Sequence, residues 1–153
     1  MENKTLEKAR AYAFLLLKYR LRSKKELGER LARKKFPEEM ITLVVDSLEA
    51  KGFLDDAVFA RSWIASRASR KFGGRRIQQE LRQKGVDPAL IEAGLRELRE
   101  RSPEAETIRQ IAGDKFRRAK GLDPRTAKRR IYAYFLRRGF SPDAVIDILN
   151  EMT

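Results

Sequence analysis

Ile77-Gln78-Gln79-Glu80-Leu81-Arg82-Gln83-Lys84-Gly85-Val86-Asp87-Pro88, running on to Ile91 and Leu95, is the stretch whose reading decides the fold. Ile77 and Leu81 stand four apart on one side of a helix. Gly85 reads as the stop of that helix, and Asp87-Pro88 opens the next with a cap and a proline at the first helical position. Moving back 50 positions from the apolar anchors Ile77, Leu81, Val86, Ile91 and Leu95 meets Leu27, Leu31, Phe36, Ile41 and Val45. Moving forward 54 meets Ile131, Phe135, Phe140, Val145 and Leu149. Five anchors keep one offset at each step. A recurrence of about 50 residues marks a tandem array, in which each unit buries its apolar face partly against its neighbours.

Punctuation outside that stretch agrees. Ser102-Pro103, Asp123-Pro124 and Ser141-Pro142 repeat the cap-proline pair, and Ser23 with Glu26 forms a capping box. Gly52, Gly121 and Gly139 read as further helix stops. The spacing predicts nine helices, over 5–20, 24–35, 38–51, 56–70, 74–84, 88–100, 103–119, 124–138 and 142–151, and no strand. The expected fold is all-α, an elongated tandem array of three three-helix modules at 1–53, 54–101 and 102–153. Phe59, Ala60, Trp63 and Ile64 share one helix face and read as core. Tyr132 and Tyr134 lie off the anchor positions of a basic helix and hint at a contact surface.

Of 153 residues, 35 are basic and 22 acidic, a net charge of +13. The excess is spread: 13 basic against 8 acidic residues over 1–53, then 11 against 7 over 54–101 and 11 against 7 over 102–153. A positive field running along the chain suits a polyanion or an acidic protein surface contacted along its length. The plain alternative is a charge-rich soluble helical protein. With no cysteine and no histidine, thiolate chemistry, disulfides and the commonest metal ligands are excluded, and a reducing cytoplasm is the expected compartment. The opening Met1-Glu2-Asn3-Lys4 leads into an amphipathic helix, and no apolar run nears ~18 residues, so neither a signal peptide nor a membrane span is expected. No cofactor is expected.

Each helix residue turns by about 100°. Lys25, Arg75 and Arg129 are equivalent under the repeat and point about 140° away from the core pair of their helix; Arg33, Gln83 and Arg137 point outward on the other flank. Arg82 joins them. Lys34, Lys84 and Arg138 are equivalent too, but stand in the last helical turn, where a cation is stabilised by the carbonyl end without any partner. Arg70-Lys71-Phe72-Gly73-Gly74-Arg75-Arg76 stands apart. Its glycines could leave the first N–H groups of a helix open to a phosphate or carboxylate, or could serve a tight turn with left-handed backbone angles. It is neither a Walker loop nor a dinucleotide fingerprint.

At this stretch the chain resembles a family. Leu54-Asp55-Asp56, Phe59-Ala60, Trp63, Ser66-Arg67, Gly73, Ile77, Glu80-Leu81 and Lys84-Gly85-Val86 are similar to the central signature of RecX, the bacterial regulator of the RecA recombinase. Leu16-Leu17, Arg20, Ser23, Glu26-Leu27, Leu31 and Phe36 agree in the first module, and Arg137-Arg138-Gly139-Phe140-Ser141 with Val145-Ile146 in the last. The resemblance implies a curved array that binds RecA–DNA filaments along their groove. It would there restrain ATP hydrolysis, strand exchange and co-protease activity in DNA repair and the SOS response, with weaker affinity for DNA. The binding candidates are Lys25, Arg67, Lys71, Arg75, Arg76, Arg82, Lys84, Arg129 and Arg137, in a monomer with no membrane partner. Two departures stand out. Lys35-Phe36-Pro37 replaces the glycine-led junction of the later modules, so its angle is expected to differ, and four residues are inserted near Lys120-Gly121-Leu122-Asp123.

Two other classes compete with a filament regulator. One is a helical protein that binds DNA directly. The other is a metal-dependent nuclease using Asp55, Asp56 and Glu80, but Asp55-Asp56 stands where a helix begins and capping explains it better, so no catalysis is expected.

Overall fold

The computed structural model describes residues 2–153; Met1, at the head of the predicted first helix, lies outside the described residues. Among the described residues there are nine helices and no strand: α1 (Glu2–Tyr19), α2 (Lys24–Arg33), α3 (Glu38–Ala50), α4 (Asp56–Ser69), α5 (Gly74–Gln83), α6 (Pro88–Arg101), α7 (Glu104–Arg118), α8 (Pro124–Arg138) and α9 (Pro142–Glu151). The predicted order holds throughout. α7 starts one residue late, because Pro103 takes the cap position while the Ser102 hydroxyl turns to Thr107.

Two compact units emerge from the packing. One takes the chain up to Ser62 with Leu81–Ile91, the other Trp63–Glu80 with Glu92–Thr153. In the first, α1, α2 and α3 pack on one another around Ala9, Ala13, Leu16, Leu27, Leu31, Val44, Leu48 and Leu54. In the second, α7, α8 and α9 enclose Ile108, Ile111, Ala112, Ile131, Phe135, Phe140, Val145, Ile148 and Leu149. The Phe135 ring meets Phe140 edge-on at 5.2 Å, the favoured arrangement of two aromatic quadrupoles.

All ten repeat anchors of the second and third modules are buried. In the first module only Leu27 and Leu31 are; Phe36, Ile41 and Val45 lie half-buried against the core. The turn that closes α2 shares two backbone features with its later counterparts. Lys35 takes the left-handed conformation itself (φ 69°), as Gly85 (φ 77°) and Gly139 (φ 89°) do. The same closing bond forms in each turn: Phe36 N–H to Leu31 O at 3.3 Å, Val86 to Leu81 and Phe140 to Phe135 at 3.1 Å. Lysine bears the steric cost that glycine avoids, about 1 kcal/mol. Phe59, Ala60 and Ile64 are buried as expected; Trp63 is only half-buried, and so are Tyr132 and Tyr134.

Candidate polyanion-binding surface

The basic helices are set by their ends, and the same end-to-end joint occurs twice. Ser23 caps α2 in the predicted capping box, its Oγ accepting from Glu26 N–H at 3.1 Å while its own N–H donates to Glu26 Oε1 at 3.1 Å. Fully buried, its hydroxyl then donates to the carbonyl of Lys84 at 2.7 Å, the last turn of α5. Fifty residues on, Gly73 N–H donates to the carbonyl of Arg138 at 2.7 Å, and Arg75 N–H to that of Gly139 at 3.0 Å. Each joint thus couples the start of one second helix to the end of the next, satisfying groups that a helix terminus otherwise leaves open.

These bonds bear on the two readings of Gly73-Gly74. The N–H groups of Gly73 and Arg75 are already occupied by carbonyls. Nor do the glycines supply left-handed angles; Lys71 does, at φ 65°. Gly73 is required by proximity: a Cβ there would lie 2.5 Å from the backbone of Gly139 and Phe140.

Glu26 is the hub of the first joint. It pairs with Lys84 at 3.0 Å and Arg20 at 2.9 Å, and only 14% of its side chain is exposed. Burial pushes its carboxyl up, but the Arg20 and Lys84 cations and the Ser23 N–H outweigh this and bring it down to about 2. Phe72 is the hub of the second joint. The guanidinium groups of Arg138, Arg67 and Arg76 lie 3.8, 3.9 and 4.3 Å from its ring centroid, within cation–π range. Glu80 neutralises part of this cluster, accepting from Arg67 at 2.9 and 2.6 Å and from the Trp63 indole N–H at 3.1 Å. Arg138 also donates to the carbonyls of Arg70 and Lys71.

The predicted cations therefore divide. Arg67 is 15% exposed and held by Glu80, and Lys84 is 22% exposed and held by Glu26, so both charges already have a partner within the protein. Arg76 is shared between Glu80, the Arg137 carbonyl and Phe72, and Lys25 reaches the Gln83 carbonyl at 3.3 Å with its stem against Gly85. Lys71, Arg75, Arg82, Arg129 and Arg137 are exposed, and their side chains make no hydrogen bond or ion pair among the described residues. Sequence reasoning missed Arg118, Arg125 and Arg130, equally exposed and equally unpaired. A signal was present: α8 carries Arg125, Lys128, Arg129, Arg130, Arg137 and Arg138 and no carboxylate, whereas α2 and α5 hold Glu26, Glu29 and Glu80.

The carboxylates weighed for catalysis have structural partners. Asp55 caps α4 through the N–H groups of Ala57 and Val58, at 2.9 and 3.3 Å, and Asp56 accepts from Lys24 N–H at 2.9 Å. Among the described residues, no group of three or more carboxylates could hold a metal ion, and no helix is long and apolar enough to cross a membrane.

Three family models match in succession: the RecX first three-helix domain over residues 9–48, the second over 55–95 and the third over 103–149. The chain belongs to the RecX family. It is 33% identical over 147 residues to the regulatory protein RecX of Streptomyces coelicolor, covering 95% of this chain and 78% of the relative. To that of Thermobifida fusca it is 34% identical over 145 residues, covering 94% and 78%. The crystal structure of RecX from Lactobacillus salivarius superposes with a TM-score of 0.84 over 97% of each chain; at 24% identity this is a likeness of fold. RecX proteins are regulatory proteins, and the three-helix domains of the family account for all nine helices described here.

Proposed function

We propose that this RecX-family protein regulates the RecA recombinase, binding RecA–DNA filaments along their groove in the cytoplasm as a monomer. It inhibits ATP hydrolysis, strand exchange and co-protease activity by occupying the filament, without chemistry of its own. The division into 1–53, 54–101 and 102–153 gives each module a share of the contact. The observation that carries this reading is a set of exposed, unpaired cations at repeat-equivalent positions, Arg75 with Arg129 and Arg137 on the opposite flank, on a chain whose three domains are all RecX domains. Cations with no partner in the protein can meet a phosphate or carboxylate without first breaking an ion pair, and hydrogen bonds between charged groups are the stronger ones.

A basic protein that binds DNA directly is the second reading, favoured by the carboxylate-free α8. Affinity measured at two salt concentrations separates the two. A filament regulator binds assembled filament more tightly than bare single-stranded DNA at the higher salt, because protein contacts survive when phosphate contacts are screened. Equal or weaker filament binding there sinks the regulator reading. A parallel assay of RecA ATP turnover should show inhibition, with no turnover by this protein alone.

A further inference from the structure

α7 and α8 leave between them a groove of about 310 Å³. Lys115, Arg118, Arg130 and Arg137 stand around it over an apolar floor that includes Leu122 and Ile131, and no carboxylate lines it. The three arginine side chains make no ion pair or hydrogen bond among the described residues, and Lys115 rests 3.7 Å over the ring of Tyr134. Burial and then the charges of Arg118, Arg138, Lys71 and Arg137 hold the Lys115 ammonium below the usual lysine range. Four cations around one small space raise each other's energy, and apart from the Tyr134 ring under Lys115 nothing lining the groove offsets them. A single carboxylate would neutralise one. A compact ligand bearing several charges would relieve them together, and guanidinium forks match phosphate oxygens in pairs. Leu122, 43% exposed, offers apolar surface beside the charges, on which the flat, weakly polar body of a base can lie.

We propose that the α7–α8 groove is a nucleotide site, with the phosphates between Arg118, Arg130, Arg137 and Lys115 and the base over Leu122. The nucleotide is a free nucleoside triphosphate, because its several phosphate charges sit on one compact ligand, whereas each unit of a strand carries only one. The site goes beyond the filament reading and does not depend on it.

The test is calorimetric titration of the whole protein with ATP, inorganic triphosphate, a short oligothymidylate and an acidic peptide of matched charge. ATP should bind more tightly than triphosphate, oligothymidylate or peptide. Arg130→Ala should weaken nucleotide binding about tenfold, the loss of a charged hydrogen bond. Arg125→Ala, on the same helix but outside the groove, should change it less than about twofold, since an exposed charge outside the groove acts only through the screened field. Leu122→Glu, which sets a carboxylate on the floor, should abolish it with the melting temperature kept. Peptide or oligothymidylate binding as tightly as ATP, absence of ATP binding, or equal damage from Arg125→Ala overturns the site. Loss of filament binding with the groove intact would tell against the proposed function alone.

Discussion

Where the start of α2 meets the end of α5, a serine hydroxyl makes the bond to the Lys84 carbonyl, and a carboxylate, Glu26, gathers the surrounding cations. Where the start of α5 meets the end of α8, the backbone N–H of Gly73 makes the equivalent bond, and an aromatic ring, Phe72, gathers the cations. The repeat thus preserves which termini are satisfied and leaves open which atoms satisfy them. A side-chain donor fills the gap in one joint. In the other the backbones come so close that a Cβ has no place, and the peptide group donates directly. The two solutions also differ in how they respond to pH, since a carboxylate titrates and a phenyl ring does not.

The sharpest way to break the comparison is to transplant one solution into the other. Gly73→Ser copies the residue of the first joint into the second, where its Cβ would meet backbone at 2.5 Å. We expect a loss of about 3 kcal/mol in urea unfolding, because backbone cannot rotate away as a side chain can. A neutral result would mean that the joint is looser than its hydrogen bonds imply.

Glu26→Gln comes next. It keeps the cap and removes the charge, and should cost about 2 kcal/mol at neutral pH. The carboxyl is depressed in the folded state, from an ordinary 4.5 to about 2, so its contribution is complete above the ordinary value and is lost as pH falls between the two. The stability gap between wild type and variant should therefore close over that acid range. A gap that persists at pH 2 would remove Glu26 as its source.

A smaller change of opposite sign is expected at Lys35, the one junction of the three without glycine. Lys35→Gly should stabilise by about 1 kcal/mol, read as a rise in melting temperature. The same replacement of Lys71, also left-handed and exposed, should give a similar rise, with any role in binding read separately as a loss of affinity.

Least of all should the exposed cations matter to stability. Arg75→Glu with Arg82→Glu should shift unfolding by less than about 0.5 kcal/mol, while weakening partner binding and flattening its salt dependence. Unchanged binding would move the contact surface to α8.

Much of the scaffold was legible. Apolar spacing and end signals act within one or two turns, so Leu27, Ile77 and Ile131 announced their helices, and Gly85 and Gly139 their stops, without any distant contact. The candidate surface was legible only in part. Arg75 and Arg82 look the same in sequence as Arg67, yet the first two meet solvent and Arg67 meets Glu80 thirteen residues away. Periodicity says which way a helical side chain points from its own core. It does not say whether another element is waiting there.

The order of elements, their caps and the repeated anchors were thus determined by the sequence itself, since they depend on local backbone geometry and on the burial of a periodic apolar face. The tertiary structure alone decided how each terminus is satisfied. Ser23 and Lys84 are 61 residues apart, as are Arg76 and Arg137, and only packed helices bring such groups within bonding distance. It also decided which cations remain unpaired, because pairing depends on whether a carboxylate, a carbonyl or an aromatic ring lies within a few ångströms in the folded chain.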